Sequence, residues 1–115
     1  MSLPVAKADF VNDIRRIIYD SFNDTDVRFS NDEILEHLNG QDVYKKAELD
    51  VLDFEDVLLD LESSGLLRAI AQNFNTRYYR IWAPLSTLTC SSCGIMSYYS
   101  EAEEAKKCFK CKQPL

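Results

Sequence analysis

CSSCGIMSYYSEAEEAKKCFKC, residues 90–111, holds all four cysteines of the chain as two C-x-x-C pairs, Cys90/Cys93 and Cys108/Cys111, fourteen residues apart. A thiolate pair at that spacing sits on one tight turn with both sulfurs aimed at one point. Two such turns facing each other supply a tetrahedron of soft ligands, the arrangement of closed structural zinc sites. Gly94 follows the first pair, where a turn needs a residue free to take positive φ. Residues 95–99 read as a short strand and 100–105 as its return. The spacing predicts a zinc ribbon over 90–115 with one structural ion; four thiolates also suit iron, alone or in a cluster. Two disulfides fit less well, because the N-terminus lacks the apolar segment of a secretion signal, and no βαβ context supports a redox C-x-x-C. Four protein ligands leave no open position for a substrate, so the ion is expected to hold the fold and do no chemistry.

Working back from the ribbon, residues 85–89 read as a linker. Pro84 closes a predicted hairpin: a strand over 66–72, a turn at 73–76 and a second strand over 77–83. Along that second strand Tyr78, Arg80 and Trp82 share one face, and Arg77, Tyr79 and Ile81 the other; Tyr79 and Ile81 are expected to pack inward. Three helical stripes precede the hairpin. The first follows Pro4, with Phe10, Ile14, Ile17, Ile18 and then Phe22 inward and Asp13, Arg15, Arg16 and Asp20 on the outer sides. Residues 23–26 are a loop by their turn chemistry, and 27–30 a minor strand. Ser30 and Glu33 form a capping box for the second helix, which buries Ile34, Leu35 and Leu38 and closes at Asn39-Gly40. His37 on this helix has no partnered nucleophile and reads as a surface or half-buried imidazole. Residues 41–50 fit a helical turn or a loop. A third helix, from Asp50 to the stop at Gly65, turns Phe54, Val57, Leu58 and Leu61 inward. Three helices and a hairpin, with 27–30 as its third strand, is the order of a winged helix over 1–84. The expected class is α+β: a winged helix-turn-helix domain followed by a small C-terminal four-cysteine zinc ribbon.

Length and charge narrow the function. At 115 residues the chain suits one domain and a small appendage, and a ribbon below about 40 residues relies on its metal in place of a core. No apolar run approaches the roughly 20 residues of a membrane span; thiolate ligands imply a reducing interior, cytoplasm or nucleus. Residues 1–65 hold sixteen acids against six bases, a net of −10, while 66–115 hold three acids against seven bases, a net of +4. The ribbon lysines Lys106, Lys107, Lys110 and Lys112 suit either a nucleic-acid contact or compensation of a doubly negative metal centre. The predicted third helix, over 52–63, carries Asp53, Glu55, Asp56, Asp60 and Glu62 and no base. Phosphates would repel it from a major groove, so Asp53, Asp56 and Asp60 form either a solvated face or a partner site. An arginine between Tyr78 and Trp82 suits stacking on unpaired bases and equally a protein hot spot, while Trp82 also suits covering the edge of the linker. Nothing resembles a phosphate-binding glycine loop or a catalytic carboxylate pair, so a binding module is expected and not an enzyme.

An acidic winged helix followed by a ribbon with Cys90-x-x-Cys93-Gly94 and Cys108-x-x-Cys111 resembles the general transcription factor E family, the archaeal factor and the large subunit of eukaryotic factor IIE. The resemblance covers most of the chain in element order and is specific at the cysteine pairs. It implies a module that lacks an ordinary DNA-reading helix, docks on RNA polymerase and aids promoter opening. This chain is shorter, with about six residues (84–89) between wing and ribbon where that family has a helical spacer. Two functions follow as expectations. One is a transcription-related module that touches nucleic acid through Arg77, Tyr78, Arg80, Lys106, Lys107, Lys110 and Lys112. The alternative is a protein adaptor whose acidic third helix docks on a basic partner without direct DNA binding.

Overall fold

The computed structural model describes residues 6–45, 51–103, 106–108, 110–111 and 113–114. Helix α1 (Lys7–Ser21) buries Phe10, Ile14, Ile17 and Ile18, and the Phe22 N–H closes it onto the Ile18 carbonyl at 2.9 Å. Strand β1 (Phe29–Ser30) leads directly into α2 (Asn31–Asn39). Ser30 caps α2 as its spacing requires: the Glu33 N–H donates to the Ser30 Oγ at 3.2 Å. The Glu33 carboxylate returns to the Ser30 hydroxyl, at 3.4 Å, and not to its backbone N–H as in the standard box. Gly40 ends the helix with φ −76°, so its freedom to take positive φ is not used. The ambiguous stretch after it begins with α3 (Asp42–Lys45), a single turn; residues 46–50 lie outside the described residues. Tyr44 on that turn is buried against Phe10 and donates to Asp13 Oδ2 at 2.6 Å. Burial and then the Asp13 carboxylate push its hydroxyl pKa well up.

Helix α4 (Val51–Ser64) turns Phe54, Val57, Leu58 and Leu61 into the core. Gly65 stops it with φ +94°. The Leu66 N–H reaches back to the Leu61 carbonyl (3.0 Å) and the Gly65 N–H to that of Glu62 (3.2 Å), the paired bonds of a Schellman ending. Strands β2 (Leu67–Asn73) and β3 (Thr76–Ile81) form the expected hairpin, with Phe74 at φ +57° in its turn. Strand β1 adds to β3, giving an antiparallel sheet in the order β1-β3-β2. Phe29, Leu67, Tyr79 and Ile81 are its buried side chains, and a bulge between Ala69 and Ala71 shifts the β2 register.

Two sequence expectations fail here. Residues 85–89, read as a linker, form strand β4 (Leu85–Thr89), which pairs along its length with β5 (Met96–Ser100). Pro84 ends the first sheet without ending order, because Leu85 is 3% exposed and joins the same core as the helices. Its backbone is clamped by Asn23, which accepts from the Leu85 N–H at 2.6 Å and donates to its carbonyl at 3.1 Å. The second failure is Arg15, assigned to the solvent side of α1. It is buried, and its two terminal nitrogens donate to both oxygens of Glu103 at 2.8 Å. Glu103 also accepts from the Ser100 N–H (3.1 Å) and the Ser64 hydroxyl (3.2 Å), and Arg15 donates to the Tyr98 carbonyl (3.0 Å). Tyr19 packs on Tyr98 beside it, with ring centroids 5.1 Å apart. The C-terminal hairpin is thus docked on α1 and on the end of α4 through a saturated ion pair.

Removing one member of a buried ion pair strands the other charge, at about 3–5 kcal/mol, whereas replacing both with apolar groups is close to neutral. Arg15→Ala and Glu103→Ala should each lower unfolding stability by that amount. Arg15→Met combined with Glu103→Leu should recover most of the loss, as read from urea or thermal unfolding.

Candidate functional site

The four cysteines lie on two turns that the hairpin brings face to face. The first, 90–93, is the connection between β4 and β5, and it is braced by Cys90 N–H to the Ile95 carbonyl (3.0 Å) and Gly94 N–H to the Cys90 carbonyl (2.9 Å). Gly94 takes φ +74°, as its place after the pair suggested. The second turn, 108–111, is held by the Cys108 N–H on the Gln113 carbonyl (2.9 Å), a bridge between Lys107 and Pro114, and a bond from the Tyr99 hydroxyl to the Lys107 carbonyl.

All four Sγ atoms lie within 4.8 Å of one another, and two of the separations, Cys90–Cys111 and Cys93–Cys108, are both 3.4 Å. A disulfide needs about 2.05 Å, and the thiols are free. Four Zn–S bonds of about 2.3 Å make a tetrahedron with edges of about 3.8 Å, inside the range found. The cluster therefore fits one four-coordinate metal ion, and the all-thiolate donor set fits zinc. Cys90 and Cys108 are buried, Cys111 is half-buried and Cys93 exposed.

Backbone N–H groups prepare the site for negative charge. The N–H of Cys93, then that of Ser92, draws the Cys90 pKa down to about 6, and those of Cys111 and Lys110 lower that of Cys108. The other two go the opposite way. Cys93 is pushed up to about 12: the Ile95 N–H lowers it, but the Cys108 sulfur and desolvation outweigh that, and Cys111 is likewise raised against the pull of the Gln113 N–H. The four thiols therefore titrate together as one group, with the backbone N–H groups favouring negative charge on Cys90 and Cys108.

The residues expected at a nucleic-acid surface do not form one patch. Arg77 and Arg80 lie on opposite faces of β3. Arg77 faces α4, 3.6 Å from Glu62, while Arg80 is exposed on the outer face with Tyr78 and Trp82. Near the second cysteine pair, Lys106 donates to the Glu103 carbonyl at 3.0 Å and Lys110 pairs with Asp9 at 2.9 Å. Lys107 is exposed, and Lys112 lies outside the described residues. The structure adds two arginines that the sequence reading passed over. Arg68 stands directly across from Arg80, and Arg28, one residue before β1, extends the same rung on the other side of β3. Arg28, Arg80 and Arg68 thus cross three strands in a row of about 10 Å, from the inter-strand spacing. Arg28 lies 4.7 Å over the Tyr78 ring and Arg68 5.1 Å over that of Trp82, which is 55% exposed and so does not serve as a buried cover. Among the described residues none of the three is in an ion pair. Only cross-strand register could have found them.

Helix α4 presents the acids as expected: Asp56 and Asp60 are exposed and Asp53 half-buried, beside exposed Leu52 and Leu59. His37 is exposed against the edge of Phe22. A cleft of about 750 Å³ between α1 and α2 is lined by Arg16, Asp20, Glu33, Glu36 and His37 among others. No described helix is long and apolar enough to cross a membrane.

Because ligand thiols must lose their protons, zinc(II) loading at pH 7 should release protons from the cluster, and affinity should fall as the pH is lowered. Calorimetric titration in buffers of different ionisation enthalpy counts the protons. A chelator should remove the ion and lower the melting temperature of the whole chain, since the hairpin shares its core.

No protein-family model matches the chain, and no curated protein does. Among solved structures, it is similar to the ferric uptake regulator of Francisella tularensis with iron, at 13% identity and a TM-score of 0.45. The match covers 83% of this chain and 66% of that one, just under two thirds. It is similar also to FurB of M. tuberculosis, a zinc uptake regulator, at 16% identity and TM-score 0.45, over 83% of this chain and 70% of that one. Likeness at this level extends to neither protein's activity.

Proposed function

We propose that the chain is a winged helix carrying a structural zinc ribbon, and that it serves transcription as a nucleic-acid-binding module through the outer face of its three-stranded sheet. The row Arg28, Arg80 and Arg68 carries this reading. Like charges directly opposite on neighbouring strands are destabilising, yet Arg68 and Arg80 stand opposite each other with no carboxylate paired to either among the described residues. A row of phosphates supplies the missing countercharge. Order of elements and the sheet sequence β1-β3-β2 support the winged-helix assignment, and the two knuckles support the ribbon. The resemblance to transcription factor E rests on that order and the cysteine spacing, and promoter opening alongside RNA polymerase is the role it suggests. Arg77, turned toward Glu62, and the lysines Lys106 and Lys110, engaged locally, fall outside the proposed surface. The reading is of a binding module and not an enzyme, in which the metal is a staple.

Exposed leucines favour a second use for α4. Leu52 is 69% and Leu59 47% exposed among Asp53, Glu55, Asp56 and Asp60. Apolar side chains set among acids with no ion pair among the described residues suit a basic partner protein better than a phosphate backbone.

Anisotropy with labelled nucleic acid, single-stranded and duplex, at stepped salt tests the first reading. Binding should weaken steeply with salt. Changing Arg28, Arg68 and Arg80 together to Gln should reduce the log–log slope by about two to three, at roughly 0.7–0.9 per phosphate contact; an unchanged slope would count against the row. For α4, Asp56→Lys with Asp60→Lys should abolish capture of its protein partner and leave the nucleic-acid slope intact.

A further inference from the structure

We infer that the outer sheet face takes an unpaired strand, single-stranded DNA or RNA, and not a duplex. The inference rests on the nucleic-acid reading above and names the form of its ligand. Three observations carry it.

First, the elements that would reach into a duplex lack the charge to do so. Helix α4 carries only acids, and the hairpin tip, residues 72–76, carries no charged side chain at all. The tip presents Phe74, 91% exposed, with Gln72 and the asparagines beside it. Neither element offers a cation to the closely spaced phosphates that flank both grooves.

Second, the basic charge lies in the middle of a sheet, interleaved with rings. Tyr78 on β3 and Trp82, the residue after its end, are four residues apart, about 13 Å by strand rise, with Arg80 between them. Each ring is paired with a guanidinium, Arg28 on Tyr78 and Arg68 on Trp82. Splayed bases stack on aromatic rings and on guanidinium planes alike, and here both surfaces repeat across one open face. Bases held within a duplex present only their edges, and cannot stack on these rings without being flipped out.

Third, the chain bears a net charge of −6, so its long-range field repels a polyanion. Attraction must come from contacts at short range, and stacking supplies such contacts without regard to base identity. The arginines are already laid over their rings in the free protein, which lowers the ordering entropy lost on binding.

Trp82 is the only tryptophan, so its emission reports on this face in the full zinc-loaded chain with no substitution needed. Oligothymidylate and oligouridylate should quench that emission and displace a labelled single strand at concentrations at least tenfold below those of unlabelled duplex of equal phosphate number. A stronger effect of one oligomer over the other would assign DNA or RNA. Trp82→Ala should weaken single-strand binding about five- to a hundredfold while circular dichroism and zinc stoichiometry stay unchanged. If duplex competes as well as single strand and Trp82 emission does not move, the single-strand inference is overturned while the arginine row stands. If neither form binds at low salt, both are overturned.

Discussion

A carboxylate with almost no exposure can stay in a protein interior only if every lone pair finds a donor. Glu103 meets that demand with two guanidinium nitrogens from Arg15, the Ser100 N–H and the Ser64 hydroxyl, and its side chain is 1% exposed. The donors come from α1, the end of α4 and the end of β5, so one charged group holds three separate parts of the chain. Arg15 in turn lies 4.5 Å from the centroid of Tyr99, which keeps its remaining face covered. The C-terminal hairpin and its thiol cluster form too small a segment to fold alone; this pair fixes it against the helices. Loss of either the pair or the cluster leaves the other without its frame.

Much of this was written in local patterns. The C-x-x-C pairs, the Ser30–Glu33 cap, the apolar stripes of α1 and α4 and the alternation that buries Tyr79 and Ile81 each depend on residues near one another in sequence. What escaped depends on residues far apart. Arg15 follows Ile14 on the flank of a stripe, and nothing within a helical turn hints that its partner stands 88 positions later. Arg28 and Arg68 look like ordinary surface bases until β1 and β2 are laid on either side of β3, and the bulge after Ala69 hides the β2 register from simple counting. Pro84 drew a boundary that the buried Leu85 ignores. The metal site was legible because its chemistry demands fixed spacing, and the sheet face was not because its pattern exists only across strands.

Charge is sorted by surface as well as by sequence. Acids gather on the exposed side of α4, whereas the outer sheet face holds three arginines in one rung. Ordinary surfaces intersperse the two signs. Such sorting gives the molecule a strong dipolar character despite its modest net charge, and orients it relative to any charged surface it meets.

Gly65 has the most to say about how the two halves of the chain are joined. Its φ of +94° lets α4 stop, and an added Cβ would stand 3.0 Å from the carbonyl oxygen of Ala102. Two demands, one conformational and one spatial, meet at a residue with no side chain. A single methyl group there would act as a wedge between α4 and the C-terminal segment, straining the seam that Arg15 and Glu103 hold while adding nothing to the cysteines or to the outer sheet face. The position is thus a mechanical handle, through which the integrity of the joint can be varied independently of everything the two halves bind.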